Sequence, residues 1–200
     1  DRKWLYRKLW IVGLFLLFVA TSYVVYVGSF KAILGGYEDR SFTMLERLYT
    51  EFRIVLYYVG LLFYPSPNRL NLDHYISVSS SLFNPVTTVL SAGTIFLSLL
   101  LAVFAAHKQS SLSFAILWYF VNLVIESSFL GLELIFEHRT YLPAVFVIFA
   151  FTVFVNEYIR PKQLAIGLLV AAIALCSYWT IERNRIWVDP VLFWTDSAAK

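Results

Sequence analysis

The sequence is poor in the residues that most often reveal a function. It has a single cysteine, Cys176, within an apolar run, so no disulfide framework can form and the redox compartment is not indicated. Its three histidines lack the mutual spacing of metal ligands, and we expect neither a metal site nor a cofactor. The chain also lacks a long run of basic residues, which argues against nucleic acid as a partner.

The composition instead indicates an integral membrane protein. Hydrophobic residues make up 60% of the chain, charged residues 14%, and the mean hydropathy is +0.70, far from the balance of a soluble domain. Apolar runs near the roughly 20 residues that a spanning helix needs predict five multi-pass crossings, at residues 10–27, 86–106, 112–125, 141–155 and 164–179. Because the chain opens on Asp1 without a signal peptide, we expect a fragment of a larger membrane domain.

Basic residues suggest the orientation of these spans. The cations within residues 2–8 predict that the chain starts in the cytoplasm. The loops 107–108 and 156–163 are then also cytoplasmic, provided that segment 28–85 begins and ends outside. Segment 41–64 should then not cross the membrane. We predict an external helix there, whose polar half lies along the interface and whose apolar half dips in or packs on the bundle. The alternative is a sixth ordinary span with inverted topology downstream.

Two ionisable residues are predicted on the outer face before the second span. Asp73 and His74 follow the segment 64–69, where two prolines end the preceding helix. These side chains could bind a hydroxyl or a phosphate group. Alternatively, Asp73 satisfies amides of its own loop.

Three carboxylates follow the third span: Glu126, Glu133 and Glu137. If the helix continues, these spacings put all three on one face. Like charges on one face repel, so that face must meet water, hold a protonated acid, or include a cation such as Arg139. Gly131 could instead break the helix, in which case the acids lie on a loop or a short half-helix. Both versions direct the acids outward.

Glu137, His138 and Arg139 place an acid, an imidazole and a guanidinium at consecutive positions between two apolar runs. Ionisable groups near bilayer depth are costly and indicate function by default. In one interpretation, Arg139 binds a phosphate through its fork of donors, with His138 as a further donor or proton carrier. In the other, Arg139 forms an internal ion pair with Glu137 that fixes a corner. The phosphate interpretation requires Arg139 to lie beside a groove open to lipid and water.

Four motifs together resemble a known family. They are Asn-Leu-Asp-His at 71–74, Asn-Pro at 84–85, Glu-Ser-Ser at 126–128 and Ile-Phe-Glu-His-Arg-Thr-Tyr-Leu-Pro at 135–143. In order and spacing they resemble the membrane region of the transmembrane and tetratricopeptide-repeat-containing proteins, a group of the GT-C glycosyltransferase superfamily, and their bacterial relatives. The last motif is the most specific of the four.

The resemblance implies an enzyme that transfers a sugar, in this family mannose, from a polyprenyl-phosphate donor to a protein hydroxyl outside the cytoplasm. Its partners would be the lipid bilayer, the lipid-linked sugar and an acceptor protein. The family's acidic catalytic pair lies upstream of these motifs, so the catalytic residues are unassigned. Candidate donor-binding residues are Arg139, His138, Glu137, Glu126, Asp73 and His74. Two alternatives are a non-catalytic anchor for an external repeat array and a ligase or polymerase of lipid-linked glycans.

The C-terminal segment is similar to the lead-in to the tetratricopeptide repeats. Asp189 is a suitable N-cap and Pro190 suits the first helical position, so a helix should begin there. We therefore expect an all-α polytopic transmembrane helix bundle at 1–182, with an external interfacial helix, and the start of a tetratricopeptide-like helix within 183–200. The absence of an Asn-x-Ser/Thr site favours a bacterial inner membrane over the endoplasmic reticulum.

Overall fold

A computed structural model describes Phe18, Val25 and residues 21–23, 35–38, 40–71 and 74–199. Almost all of the first expected span, 10–27, and the candidate residue Asp73 lie outside the described residues. The described part is helical and contains no strand beyond an isolated bridge. Its α-helices are α1 (Met44–Phe63), α2 (Val86–Ala105), α3 (Ser110–Leu123), α4 (Tyr141–Tyr158), α5 (Lys162–Val188) and α6 (Pro190–Ala199). Short 3-10 helices lie at Gly35–Tyr37, Pro67–Arg69 and Glu137–Thr140.

Three of the described helical segments are long and apolar enough to cross a membrane: α2, α4 with its preceding 3-10 turn, and α5. Their side chains are mostly exposed in the bundle, as expected for helices surrounded by hydrocarbon. The crossing expected at 112–125 is not matched by a helix of spanning length. Helix α3 has 14 residues and is therefore about 21 Å long, short of the roughly 30 Å hydrocarbon core.

Helix α1 is well defined at both ends. Thr43 and Glu46 form a capping box, in which the Thr43 amide donates to Glu46 Oε2 at 2.8 Å and Thr43 Oγ1 accepts from the Glu46 amide at 3.3 Å. At the other end, Arg69 donates to the carbonyl oxygens of Gly60 and Tyr64 at 3.2 and 3.3 Å. The bond to the Tyr64 carbonyl satisfies an acceptor that the helix C-terminus leaves open.

After α1, the chain runs back along the helix. Tyr57 Oη donates to the Arg69 carbonyl at 3.0 Å, and the Ser79 amide donates to Thr50 Oγ1 at 2.8 Å, so later residues lie beside earlier turns of α1. The chain from the start of α1 to the start of α2 thus begins and ends at the same end of the bundle.

The packing of α1 corrects one detail of the prediction. Its polar half was expected to lie along the membrane interface, yet Arg47, Thr50 and Glu51 are buried. They continue the face formed by Ile54 and Tyr58, which packs into the main core with residues of α3. A hydrogen bond also links the two helices within this core, because Tyr119 Oη in α3 donates to the Val55 carbonyl in α1 at 2.6 Å. The polar half is buried because it meets another segment of the protein.

The C-terminal helix begins where the sequence predicted. The Val191 amide donates to Asp189 Oδ1 at 2.8 Å, and α6 starts at Pro190, which confirms the predicted cap. Helix α5 continues to Val188, so the expected boundary after residue 182 falls inside a helix. An ion pair between Arg183 and Asp196 joins α5 to α6.

Candidate functional site

The predicted acids and Arg139 lie at one end of the bundle, where the loop 124–136 joins α3 to the 3-10 turn Glu137–Thr140. Helix α3 ends at Leu123, and the residues that follow form turns rather than a continued helix. The loop alternative of the sequence analysis therefore applies. The arrangement with three carboxylates on one helical face is wrong.

Arg47 fixes the loop 124–136 against the start of α1. Its side chain is fully buried. Nε donates to the Ser128 carbonyl at 3.1 Å, Nη2 to the Glu126 carbonyl at 2.8 Å, and Nη1 to the Leu132 carbonyl. One guanidinium thus satisfies carbonyl groups along most of the loop, which has no secondary structure of its own to do so.

Glu51 lies one turn after Arg47 and completes this buried arrangement. Its Oε1 is 2.9 Å from Arg47 Nη2, and its side chain is 3% exposed. Burial raises the pKa of Glu51 to about 7, although Arg47, the Ser127 hydroxyl and Arg139 oppose the shift by favouring the carboxylate. Near neutral pH, Glu51 can therefore hold or release a proton.

Arg139 is buried and is bonded within the protein. Its Nε lies 2.9 Å from Glu126 Oε2, its Nη1 donates to the Glu133 carbonyl at 2.8 Å, and its guanidinium carbon lies 5.0 Å from the centre of the Phe136 ring. The internal pair with Glu137, one of the two interpretations of the sequence, is not among the ion pairs of the described residues. The geometry does not favour direct phosphate binding by Arg139 either, because only 5% of its side chain is exposed.

Each carboxylate of the predicted set has a different basic neighbour. Glu126 pairs with Arg139, Glu133 pairs with Arg40, and Glu137 Oε1 lies 2.9 Å from His74 Nε2. This separation removes the repulsion that a shared helical face would impose. The Glu126 and Glu133 side chains remain 39% and 49% exposed, so they form the open rim of the cluster.

Of the other candidates, His74 and Glu137 are in contact with each other, and His138 lies at the same end of the bundle. Glu137 Oε1 also accepts the Asn71 amide at 2.6 Å, so it anchors the returning segment after α1. His138 is exposed and stacks on Phe136 with ring centres 5.1 Å apart. Within the described residues, no group of histidines, cysteines and carboxylates is placed to hold a metal ion.

Sequence reasoning missed the two buried residues of α1. Arg47 and Glu51 belong to the polar half of the predicted interfacial helix and are not among the predicted site residues. A signal was available, because these positions continue at helical spacing the apolar face that includes Ile54, Tyr58 and Leu61. Charged residues at buried positions of such a face need partners, and here those partners come from the loop 124–136.

We define the charged cluster as Arg40, Arg47, Glu51, Glu126, Glu133 and Arg139. Its inner residues are buried and paired, while its rim is exposed and carries both signs of charge. Comparison with family models, curated proteins and solved structures found no match to this chain.

Proposed function

We propose that the chain is part of a multi-pass membrane glycosyltransferase of the GT-C type. It would transfer a sugar, mannose by the resemblance, from a polyprenyl-phosphate donor to protein hydroxyls on the extracytoplasmic side of a bacterial inner membrane. The charged cluster would form part of the wall of the donor site. The proposal combines the resemblance of the motifs with the position of the cluster at one end of the spanning helices.

The observation that carries the proposal is the burial of Arg47, Glu51 and Arg139 beside helices of membrane-spanning character. Removing charges from water costs several kcal/mol per ion, even where the charges are paired. Charge at this depth is therefore expected where a protein handles a charged or polar substrate. A lipid phosphate and a sugar are substrates of that kind.

The geometry changes the role expected of Arg139. Because Arg139 is buried and contacts Glu126, we propose that it holds the Glu126 carboxylate in position. The basic groups at the open side are Arg40, 29% exposed in its side chain, and the exposed His138. These two residues are the donor-phosphate ligands in our proposal, since positive and hydrogen-bonding groups stabilise an anionic leaving group.

One observation favours the alternative of a non-catalytic anchor. Each acid of the cluster already has a cationic partner, so the cluster could serve only to hold the loop 124–136 on α1. In that case, the bundle would position an external helical array and bind no donor. A ligase or polymerase of lipid-linked glycans would use the same donor chemistry with a glycan acceptor.

The intact protein with Glu126→Gln tests the proposal. The substitution keeps the shape and removes the charge at a residue that is partly exposed. We expect transfer of labelled mannose from polyprenyl-phosphate mannose to protein to fall at least tenfold. The matched control is Glu182→Gln, which removes a half-buried carboxylate on α5 outside the charged cluster. Unchanged transfer in folded Glu126→Gln protein would favour the anchor.

A further inference from the structure

A cavity of about 550 Å³ lies between α1, α2, α3 and α4. It opens near the start of α3 and the end of α4, whereas the charged cluster lies near the end of α3 and the start of α4. The two features are therefore at opposite ends of the bundle. The volume is within the range of about 300–1,000 Å³ typical of ligand sites.

The interior of the cavity is lined mainly by apolar side chains. Its walls include Val59, Ile116 and Phe151. Two hydroxyls on the α2 side of the lining are already bonded: Thr94 Oγ1 donates to the Leu90 carbonyl at 2.9 Å, and Ser98 Oγ donates to the Thr94 carbonyl at 2.8 Å. Such an interior offers little to water, which needs several polar partners to be held in a cavity.

The mouth of the cavity is polar and carries both signs of charge. Lys108, Ser110 and Ser111 lie on one side and Glu157 on the other, and all four residues are exposed. Within the part of the chain that the structure describes, no ion pair joins Lys108 to Glu157. The charges of the mouth are thus open to a ligand that has a hydrocarbon body and a charged end.

The position of the mouth identifies the source of such a ligand. It lies between the end of α2 and the start of α3, beside the end of α4 and close to the start of α5. Helices α2, α4 and α5 have the length and composition of membrane spans, so this end of the bundle lies at the level of the lipid headgroups. An apolar cavity that opens there is within reach of the acyl chains of the bilayer.

We propose that the cavity holds one acyl chain of phosphatidylethanolamine, with the headgroup at the mouth. Lys108 and the hydroxyls of Ser110 and Ser111 contact the phosphate, and Glu157 contacts the ammonium group. The charge pattern of the mouth matches this zwitterionic headgroup better than an anionic one, since an anionic lipid would leave Glu157 facing a phosphate. The site is independent of the proposed transferase activity.

The test is native mass spectrometry of the intact, delipidated protein after addition of phosphatidylethanolamine, phosphatidylglycerol or undecaprenyl phosphate. We expect one phosphatidylethanolamine to be retained at least fivefold better than either of the other lipids. Ala150→Phe should abolish this retention, because Ala150 lines the cavity. Ala172→Phe, on the exposed surface of α5, should not change it.

Lys108→Gln and Glu157→Gln keep the proposal falsifiable if Ala150→Phe fails to fold, because both residues are exposed and outside the core. Each should reduce retention of phosphatidylethanolamine at least fivefold, and Glu157→Gln should reduce its preference over phosphatidylglycerol. Equal retention of all three lipids, or retention unaffected by both substitutions, would show only lipid on the outer surface and would overturn the proposal. Preferred retention of undecaprenyl phosphate would also overturn it.

Discussion

Arg47→Met is the substitution that most directly tests how the loop 124–136 is held. It removes the donors to the carbonyl oxygens of Glu126, Ser128 and Leu132 and leaves Glu51 without its cationic partner. Breaking a buried ion pair by removing one partner costs about 3–5 kcal/mol. For a chain of this size, that corresponds to a loss in Tm on the order of 10 °C.

The assay is thermal unfolding of the purified protein in detergent, followed by circular dichroism, together with hydrogen exchange of the loop 124–136. We expect Arg47→Met to have a lower Tm than the unsubstituted protein and faster hydrogen exchange in the loop 124–136. Arg47→Met with Glu51→Leu should recover part of the loss, since no buried charge is then unpaired, but the loop carbonyls still lack their donor. Arg185→Met, at an exposed position, is the charge-matched control. If Arg47→Met resembles that control in both measurements, our account of the loop is wrong.

Three further predictions concern the same end of the bundle and a glycine contact. Thr50→Val removes the acceptor of the Ser79 amide and should lower the free energy of unfolding by about 1–2 kcal/mol; an unchanged thermal midpoint would contradict this. Burial raises the pKa of Glu51 to about 7 from an ordinary value of 4.5. Between pH 4.5 and about 7, the folded state therefore binds more protons at Glu51 than the unfolded state does. Stability should therefore fall as pH rises through that window, by at most roughly 3 kcal/mol, and Glu51→Gln should flatten the pH dependence of Tm. Gly131→Ala would place a Cβ 2.8 Å from backbone atoms of the 3-10 helix Gly35–Tyr37 and should lower Tm, whereas Gly167→Ala meets open space on a helix and should leave Tm unchanged or higher.

Local and periodic features of the fold could be predicted from the sequence. Long apolar runs gave the positions of α2, α4 and α5, because spanning length and composition are properties of a single segment. The start of α6 followed from Asp189 and Pro190, whose effects act within one helical turn. The break after α3 was among the stated alternatives, since Gly131 and the nearby acids both disfavour a continued helix there.

The partners of the charged residues could not be predicted in the same way. Arg139 pairs with Glu126, 13 positions earlier, and Arg47 bonds to carbonyls about 80 positions later in the chain. These pairings depend on how the loop 124–136 folds over α1, which no local pattern specifies. The nearest acid in sequence to Arg139 is Glu137, and the interpretation that paired these two residues is wrong. The sequence shows that Arg47 continues the apolar face of α1, but it does not show which segment packs on that face.

Photo-crosslinking of the donor lipid tests the central claim most directly. A benzophenone amino acid would replace His138, beside the charged cluster, or His107, which is also exposed and follows the far end of α2. In membranes of the intact protein, labelled polyprenyl-phosphate mannose should crosslink at position 138 and be displaced by excess unlabelled donor, with little labelling at position 107. Equal labelling at both positions, or labelling that excess donor does not displace, would contradict a donor site at the charged cluster.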